Sequence, residues 1–230
     1  KNKINFRNPS SLDEDEELEN FKKLSPDIVV VVAYGQIIPK FFLNIAKLGF
    51  INIHASLLPK WRGAAPIQRA IINGDKKIGI SIMKIEEKLD SGPVLVSKEF
   101  ELDQNATHGE IEKKLSLEGA NLLIQSLKTI ETGNLKFIDQ DHSQATYAKK
   151  IDKNESKINW NKDANKVLAH IHGLSPSPGA WFEFRNERFK VLRAKISSES
   201  GKSGYVLDEN LTVGCDSNSI QILELQRQGK

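Results

Sequence analysis

Two residues able to do chemistry close one short apolar run: Asn52 and His54, in Gly49-Phe50-Ile51-Asn52-Ile53-His54. The run has the pattern of a strand, and alternation along a strand sends both side chains to one face. An amide that donates hydrogen bonds, beside an imidazole that titrates near neutrality, can stabilise a developing oxyanion and move a proton. Taken alone, such a pair more commonly satisfies turn backbone groups. Leu89-Asp90-Ser91-Gly92-Pro93 reads as a loop between two further strands, with Gly92 at its bend. Asp90 can return from it to His54 across adjacent strand ends, orient the ring and favour its charged form. Its other use is an Asx turn within its own loop. Ser56 raises a nucleophile reading, but the chain has no G-x-S-x-G elbow. His170 and His172 diverge on a predicted helix, His108 sits in a first helical turn, and His142 lies in a polar stretch. All four read as surface or capping residues, and no metal site is expected.

These residues need a scaffold, and the first half of the chain alternates helix and strand signals. Asp13 to Leu24 reads as an acidic surface helix stopped by Ser25-Pro26. Ile28 to Ala33 is a β-branched run without alternation, the mark of a strand buried on both faces of a parallel sheet. Further strands are expected at Ile78 to Ile85 and Pro93 to Phe100, and a helix from Gly63 to Ile72. Thr107-x-x-Glu110 looks like a capping box opening a long helix. The class is α/β with a mostly parallel sheet, which places ligands outside the carboxyl ends of its strands.

Composition shifts after Gly133. A polar, lysine-rich stretch reads as an extended linker over 134–152, separating a domain at 1–133 from one at 153–230. The second holds a short helix from Ala164 to Ile171. Strand-like pieces follow at Ala180–Phe184, Phe189–Ile196, Gly204–Leu207, Leu211–Gly214 and Ile220–Leu225, suggesting a small β-barrel or sandwich. Across 230 residues, 33 basic and 30 acidic side chains leave only +3, so no strong field announces nucleic acid or an anionic membrane. A lone cysteine, Cys215, excludes an internal disulfide and a multi-cysteine zinc site and suits a reducing compartment. The longest apolar stretch is far too short to span a bilayer.

Asn52-x-His54, Ser56-Leu57-Leu58-Pro59, Arg62-Gly63-Ala64-Ala65-Pro66-Ile67-Gln68-Arg69-Ala70 and Leu89-Asp90-Ser91-Gly92 together resemble the methionyl-tRNA formyltransferase family. Tyr34-Gly35-Gln36-Ile37-Ile38-Pro39 and Ile158-Asn159-Trp160 are similar to that family too. The Asn, the His, the S-L-L-P loop and the Asp are shared by the wider formyltransferase superfamily. The string from Trp61 to Arg69 and the β-rich tail point to the methionyl-tRNA branch.

The resemblance implies a Rossmann-like catalytic domain followed by an OB-like barrel. It implies formyl transfer from 10-formyltetrahydrofolate, a substrate and not a resident cofactor, to the α-amine of initiator methionyl-tRNA. Asn52 and protonated His54 would donate to the oxyanion, Asp90 would hold His54, and Ser56, Leu57, Leu58 and Pro59 would meet the folate. No metal and no covalent enzyme intermediate are implied, and no membrane partner. A monomer in a bacterial cytoplasm or an organellar matrix is expected. Arg62 would serve the donor or the tRNA, or be a solvated loop charge. Lys149, Lys150, Lys153, Lys157, Arg185, Arg188, Lys190 and Arg193 would form a basic route for the acceptor stem, or a solvated lysine-rich surface.

Two other readings compete, the first with the same Asn52, His54 and Asp90. One is a formyltransferase acting on a sugar-nucleotide amine or glycinamide ribonucleotide. The other is an RNA-binding module whose barrel carries the function, which the near-neutral charge disfavours. The chain starts at Lys1, and its only methionine is Met83. It is expected to be a piece lacking the family's opening strand–helix–strand unit, with its basic loop, and a short C-terminal segment. Ser175 and Ser177, in Ser175-Pro176-Ser177-Pro178-Gly179-Ala180-Trp181, stand where the family pattern has bulkier or amide residues.

Overall fold

A computed structural model describes residues 4–133 and 136–229. Asn134 and Leu135, where the expected linker begins, lie outside the described residues. The first half runs through helix α1 (Asp15–Lys23), strand β1 (Val29–Val32), the short helix α2 (Lys40–Leu43) and strand β2 (Phe50–His54). The two-residue strand β3 (Arg62–Gly63), helix α3 (Pro66–Asn73), strands β4 (Lys77–Lys84) and β5 (Val94–Glu101) and helix α4 (His108–Glu131) follow. Pro66 starts α3 three residues later than the sequence suggests, because proline suits the first helical position and Arg62-Gly63 are taken into a strand pair. Thr107 and Glu110 close the expected capping box at the head of α4.

The sheet has the order β1-β2-β4-β5 and is mixed, not mostly parallel. Only β1 and β2 run parallel; β4 is antiparallel to both β2 and β5. A nine-residue connection cannot make a parallel crossover, so β5 must return antiparallel to β4. The valine run of β1 lies at the sheet edge. Val29 to Val31 are half-buried and Val32 is 58% exposed, because β2 is their only strand neighbour among the described residues. The strand buried on both faces is β4, between β2 and β5. Ile51, Ile53, Ile80 and Ile82 pack with Leu115 and Leu122 of α4 on one face. Phe50 and Val31 pack with Phe21 of α1 and Phe42 of α2 on the other.

Beyond α4, a 3₁₀ turn (His142–Gln144) and strand β6 (Tyr147–Ala148) lead to helix α5 (Ala164–Leu174). The segment is no free spacer: β6 pairs with β3, and Ile138 bridges to Val94. Strands β7 (Ala180–Phe184), β8 (Glu187–Ser197), β9 (Thr212–Gly214) and β10 (Ser219–Arg227) form an antiparallel sheet in the order β7-β8-β10-β9. The expected strand at Gly204–Leu207 is reduced to one bridge, Val206 with Val213. Val167, Ile171 and Leu174 of α5 fill the face made by Val191, Ala194 and Ile220. Cys215 joins this core, and burial pushes its thiol up to about 11.

His172 is a core residue, 1% exposed, and its Nε2 faces the Ala194 carbonyl at 3.1 Å. His108 is also buried, correcting the surface reading for both. Their apolar surroundings explain this: each occupies the inner face of an amphipathic helix. Desolvation, the largest cause in each case, holds His108, His170 and His172 below the ordinary imidazole range. The unfolded chain therefore takes up protons first as pH falls. Unfolding free energy should be greatest above roughly pH 6.5 and decline below it. Urea titrations of the wild type and His172→Gln between pH 7.5 and 5.5 should show a shallower acid decline in the variant. Parallel declines would contradict the assignment.

Candidate active site

Strand β2 carries Asn52 and His54 on the face opposite Ile51 and Ile53, as alternation requires. His54 is 5% exposed; Asn52 is half-buried, and its amide has no hydrogen-bond partner among the described residues. The ring N–H at Nε2 of His54 donates to the Trp61 carbonyl at 2.9 Å, which fixes the ring plane. Its Nδ1 stands 3.7 Å from Asp90 Oδ2, an ion-pair separation too long for a hydrogen bond. Nδ1 thus faces that carboxylate and has no hydrogen-bond partner among the described residues.

Asp90 does not reach His54 across adjacent strand ends. Because β4 opposes β2, it leaves the sheet beside Phe50, where Ile85 N–H donates to the Phe50 carbonyl. The β4–β5 loop must fold back along the sheet face to bring Asp90 to His54. Two features make that path possible. A Cβ on Gly92 would stand 2.2 Å from the Lys84 carbonyl oxygen, so only glycine fits. Asp90 itself has φ +46°, the left-handed region that non-glycine residues adopt at a cost. Its Oδ2 accepts the Gly63 N–H at 2.7 Å, tying this loop to the one after β2.

The loop from Ser56 to Trp61 is shaped from beneath by β4. Ser81 Oγ donates to the Ser56 carbonyl at 2.8 Å and accepts the Leu58 N–H at 3.2 Å. The Ser56 hydroxyl donates to the Lys60 carbonyl at 2.6 Å. It is buried and committed to that turn, as a nucleophile would not be. A Cβ on Gly79 would stand 2.3 Å from Leu57 Cδ2, so the glycine lets Leu57 lie on the strand. Ser56 and Leu57 line a cavity of about 300 Å³ with Trp61, Asp75 and Lys77. An open cleft of about 950 Å³ lies on the Asp90 side, lined by residues 85–89 together with Arg62, Ser91, His142 and Tyr147. Leu58 and Pro59 are half-buried and border neither space.

Arg62 is 4% exposed and is no solvated loop charge. Its Nε and Nη2 donate to Gln140 Oε1 at 3.1 and 2.7 Å, and Nη2 also reaches His142 Nδ1 at 2.9 Å. Thr146 accepts the Trp61 N–H on its hydroxyl and the Arg62 N–H on its carbonyl, both at 2.9 Å. Sequence reading misses Gln140 and Thr146, single polar residues in a stretch with no periodicity. Ser81 does leave a trace: Ile78-Gly79-Ile80-Ser81-Ile82 alternates, with small residues on the site face. No group of three or more His, Cys, Asp or Glu among the described residues could hold a metal.

The site thus brings together a strand-borne Asn/His pair and an Asp folded back onto it, within a chain of two parts. The family described as formyl transferase matches residues 2–127, and the formyl transferase C-terminal domain matches 150–230. The methionyl-tRNA formyltransferase of Pelagibacter ubique (strain HTCC1062) is 50% identical over 229 residues, 99% of this chain and 74% of that protein. That of Bradyrhizobium diazoefficiens is 45% identical over 226 residues, 96% of this chain and 73% of that one. A solved methionyl-tRNA formyltransferase from Clostridium thermocellum shares the fold, with TM-score 0.62 and 22% identity over 92% of this chain and 85% of its own. HypX from Aquifex aeolicus, solved with tetrahydrofolic acid, gives TM-score 0.73 at 21% identity over 92% of this chain and 38% of its own. The chain belongs to the methionyl-tRNA formyltransferase family and is an enzyme of formyl transfer.

The support under the loop can be tested directly. Ser81→Ala strips a buried carbonyl of its donor and a buried N–H of its acceptor, costing about 1–3 kcal/mol of stability. Urea unfolding measures it, and unchanged stability would show that the loop holds itself.

Proposed function

We propose that the chain transfers the formyl group of 10-formyltetrahydrofolate to the α-amine of initiator methionyl-tRNA, with Asn52, His54 and Asp90 as its catalytic residues. The observation that carries this is the Asn52 amide, unpartnered among the described residues, on the same sheet face as His54, with Asp90 Oδ2 3.7 Å from the imidazole Nδ1. The amine lone pair attacks the formyl carbon, and the C=O pair moves onto oxygen. Asn52 Nδ2 and His54 Nδ1 donate hydrogen bonds to that oxygen as its charge grows. His54 Nδ1, or a water, gives a proton to N10 of the folate and takes one from the former amine, while the oxyanion's electron pair re-forms the C=O bond and the C–N10 bond breaks. Asp90 keeps the imidazole in place and balances its charge.

The folate is a substrate, taken up and released in each turnover. The cleft beside residues 85–89 suits its ring system, with volume to spare. Ser56, Leu57, Leu58 and Pro59 border no part of that cleft and serve the folate only as the loop that closes over His54, the polar groups of Ser56 being spent on Lys60 and Ser81. Relatives bearing the methionyl-tRNA name at 45–50% identity favour that acceptor over a sugar-nucleotide amine or glycinamide ribonucleotide. For the tRNA, Arg188 and Lys157 over the Trp181 ring, at 3.8 and 5.4 Å, offer a cationic face on the C-terminal sheet. That face is read as the wall of an OB-like barrel. Arg193 is engaged with Glu110 at 2.5 Å and contributes less. The enzyme is read as a monomer of the bacterial cytoplasm or an organellar matrix; none of its described helices is long and apolar enough to cross a membrane.

Asn52→Ala, His54→Ala and Asp90→Ala should each lower turnover roughly 100- to 1,000-fold while tetrahydrofolate affinity stays within a few-fold. A variant with near-normal turnover removes its residue from the mechanism. A panel of methionyl-tRNA, a sugar-nucleotide amine and glycinamide ribonucleotide should show turnover with the first alone. Binding of methionyl-tRNA should weaken steeply between about 50 and 200 mM salt. Replacing Lys157 and Arg188 with Gln should flatten that dependence; an unchanged slope would place the tRNA elsewhere.

A further inference from the structure

The Asp90 loop is held over His54 by a residue far along the chain. Gln140 is 8% exposed, and both hydrogens of its amide are committed to this loop. Nε2 donates to the Asp90 carbonyl at 2.9 Å and to the Gly92 carbonyl at 2.7 Å. Its Oε1 accepts two hydrogen bonds from Arg62, so the amide cannot flip without facing donors with donors. The contacts land on the two residues that turn the loop back: Asp90 at φ +46°, and Gly92 pressed on the Lys84 carbonyl. A loop with this backbone strain needs surroundings that over-determine it. Gln140 supplies them, and Ile138, paired in both directions with Val94, fixes its position.

We infer that Gln140, locked by Arg62, is a positioning residue for formyl transfer: it sets the place of the Asp90 carboxylate behind His54. The segment between the two matched domains thus completes the active site. Thr146 does the same for the other loop, holding Trp61, whose carbonyl receives the His54 Nε2–H. Gln140 touches neither substrate nor reacting atoms; it acts through Asp90. The inference rests on the catalytic reading of Asp90 given above.

The test compares Gln140→Glu and Gln140→Met in the full chain with Asp90→Asn as the reference. Gln140→Glu keeps the partner of Arg62 but turns an acceptor toward the Asp90 and Gly92 carbonyls. Gln140→Met keeps the volume and loses every hydrogen bond. Both should lower kcat about 10- to 100-fold, the effect of misplacing a catalytic group by about 1 Å. KM for 10-formyltetrahydrofolate and for methionyl-tRNA should stay within about threefold, a split that mere loss of folded protein would not give. Arg62→Lys leaves both Gln140 donors in place and loosens its oxygen, along with the Arg62 contact to His142. It should show the same kcat-selective loss at a smaller size, and it decides the matter if the Gln140 variants do not fold. Wild-type kcat in a folded Gln140 variant, or in Arg62→Lys when neither folds, overturns the inference while Asp90→Asn is inactive. Full activity in Asp90→Asn overturns instead the catalytic reading on which it rests.

Discussion

The site depends on a carboxylate being held behind a buried imidazole by a loop that starts at the wrong end of the strand. Strand β4 runs against β2, so the chain leaves it beside Phe50, four residues from His54. Everything nearby serves the return path: a glycine where no Cβ fits, an aspartate in the left-handed region, and a carboxylate caught by the Gly63 N–H. A short turn would leave His54 without its anion. Strain of this kind marks places where function has shaped the backbone.

Two loops meet at the imidazole, and one segment fastens both. Residues 138–148 bridge to β5 through Ile138, grip the Asp90 loop through Gln140, hold Trp61 and Arg62 through Thr146, and pair with β3. The buried Arg62 guanidinium faces an amide oxygen and an imidazole nitrogen, with no carboxylate within ion-pair distance among the described residues. Burying a charge on neutral partners is costly, and such a network is stable only while its members are satisfied. The same segment leads to α5, which packs against α3 and carries the C-terminal sheet. The segment that leads to the C-terminal sheet is thus the same one that holds both loops beside His54.

Sequence reading recovers what short-range rules control. Alternation places Asn52 and His54 on one face, the Thr107–Glu110 box opens α4, and four of the five expected C-terminal strands fall near their bounds. It misjudges what depends on neighbours. Four valines look buried, but β1 sits at an edge, while the interrupted run Ile78-Gly79-Ile80-Ser81-Ile82 is the central strand. The direction of β4, and with it the route of Asp90, is invisible to local pattern. Gln140 and Thr146 are single polar residues in a polar stretch, 50 and 85 positions from the groups they hold. Nothing in their own surroundings distinguishes them from solvated side chains.

Asn52 and the Asp90-backed His54, in the proposed mechanism, bind the charged intermediate better than the ground state. The most direct test is the affinity of a tetrahedral bisubstrate analogue, in which a phosphonamidate bridges the folate N10 position and the amine of methionyl-adenosine. Calorimetry on the wild type, Asn52→Ala and Asp90→Asn would compare it with tetrahydrofolate alone. The mechanism predicts that each variant loses about 100-fold or more toward the analogue and less than about threefold toward tetrahydrofolate. Equal losses toward both ligands would mean that these residues bind folate and do not recognise the intermediate, contradicting the claim.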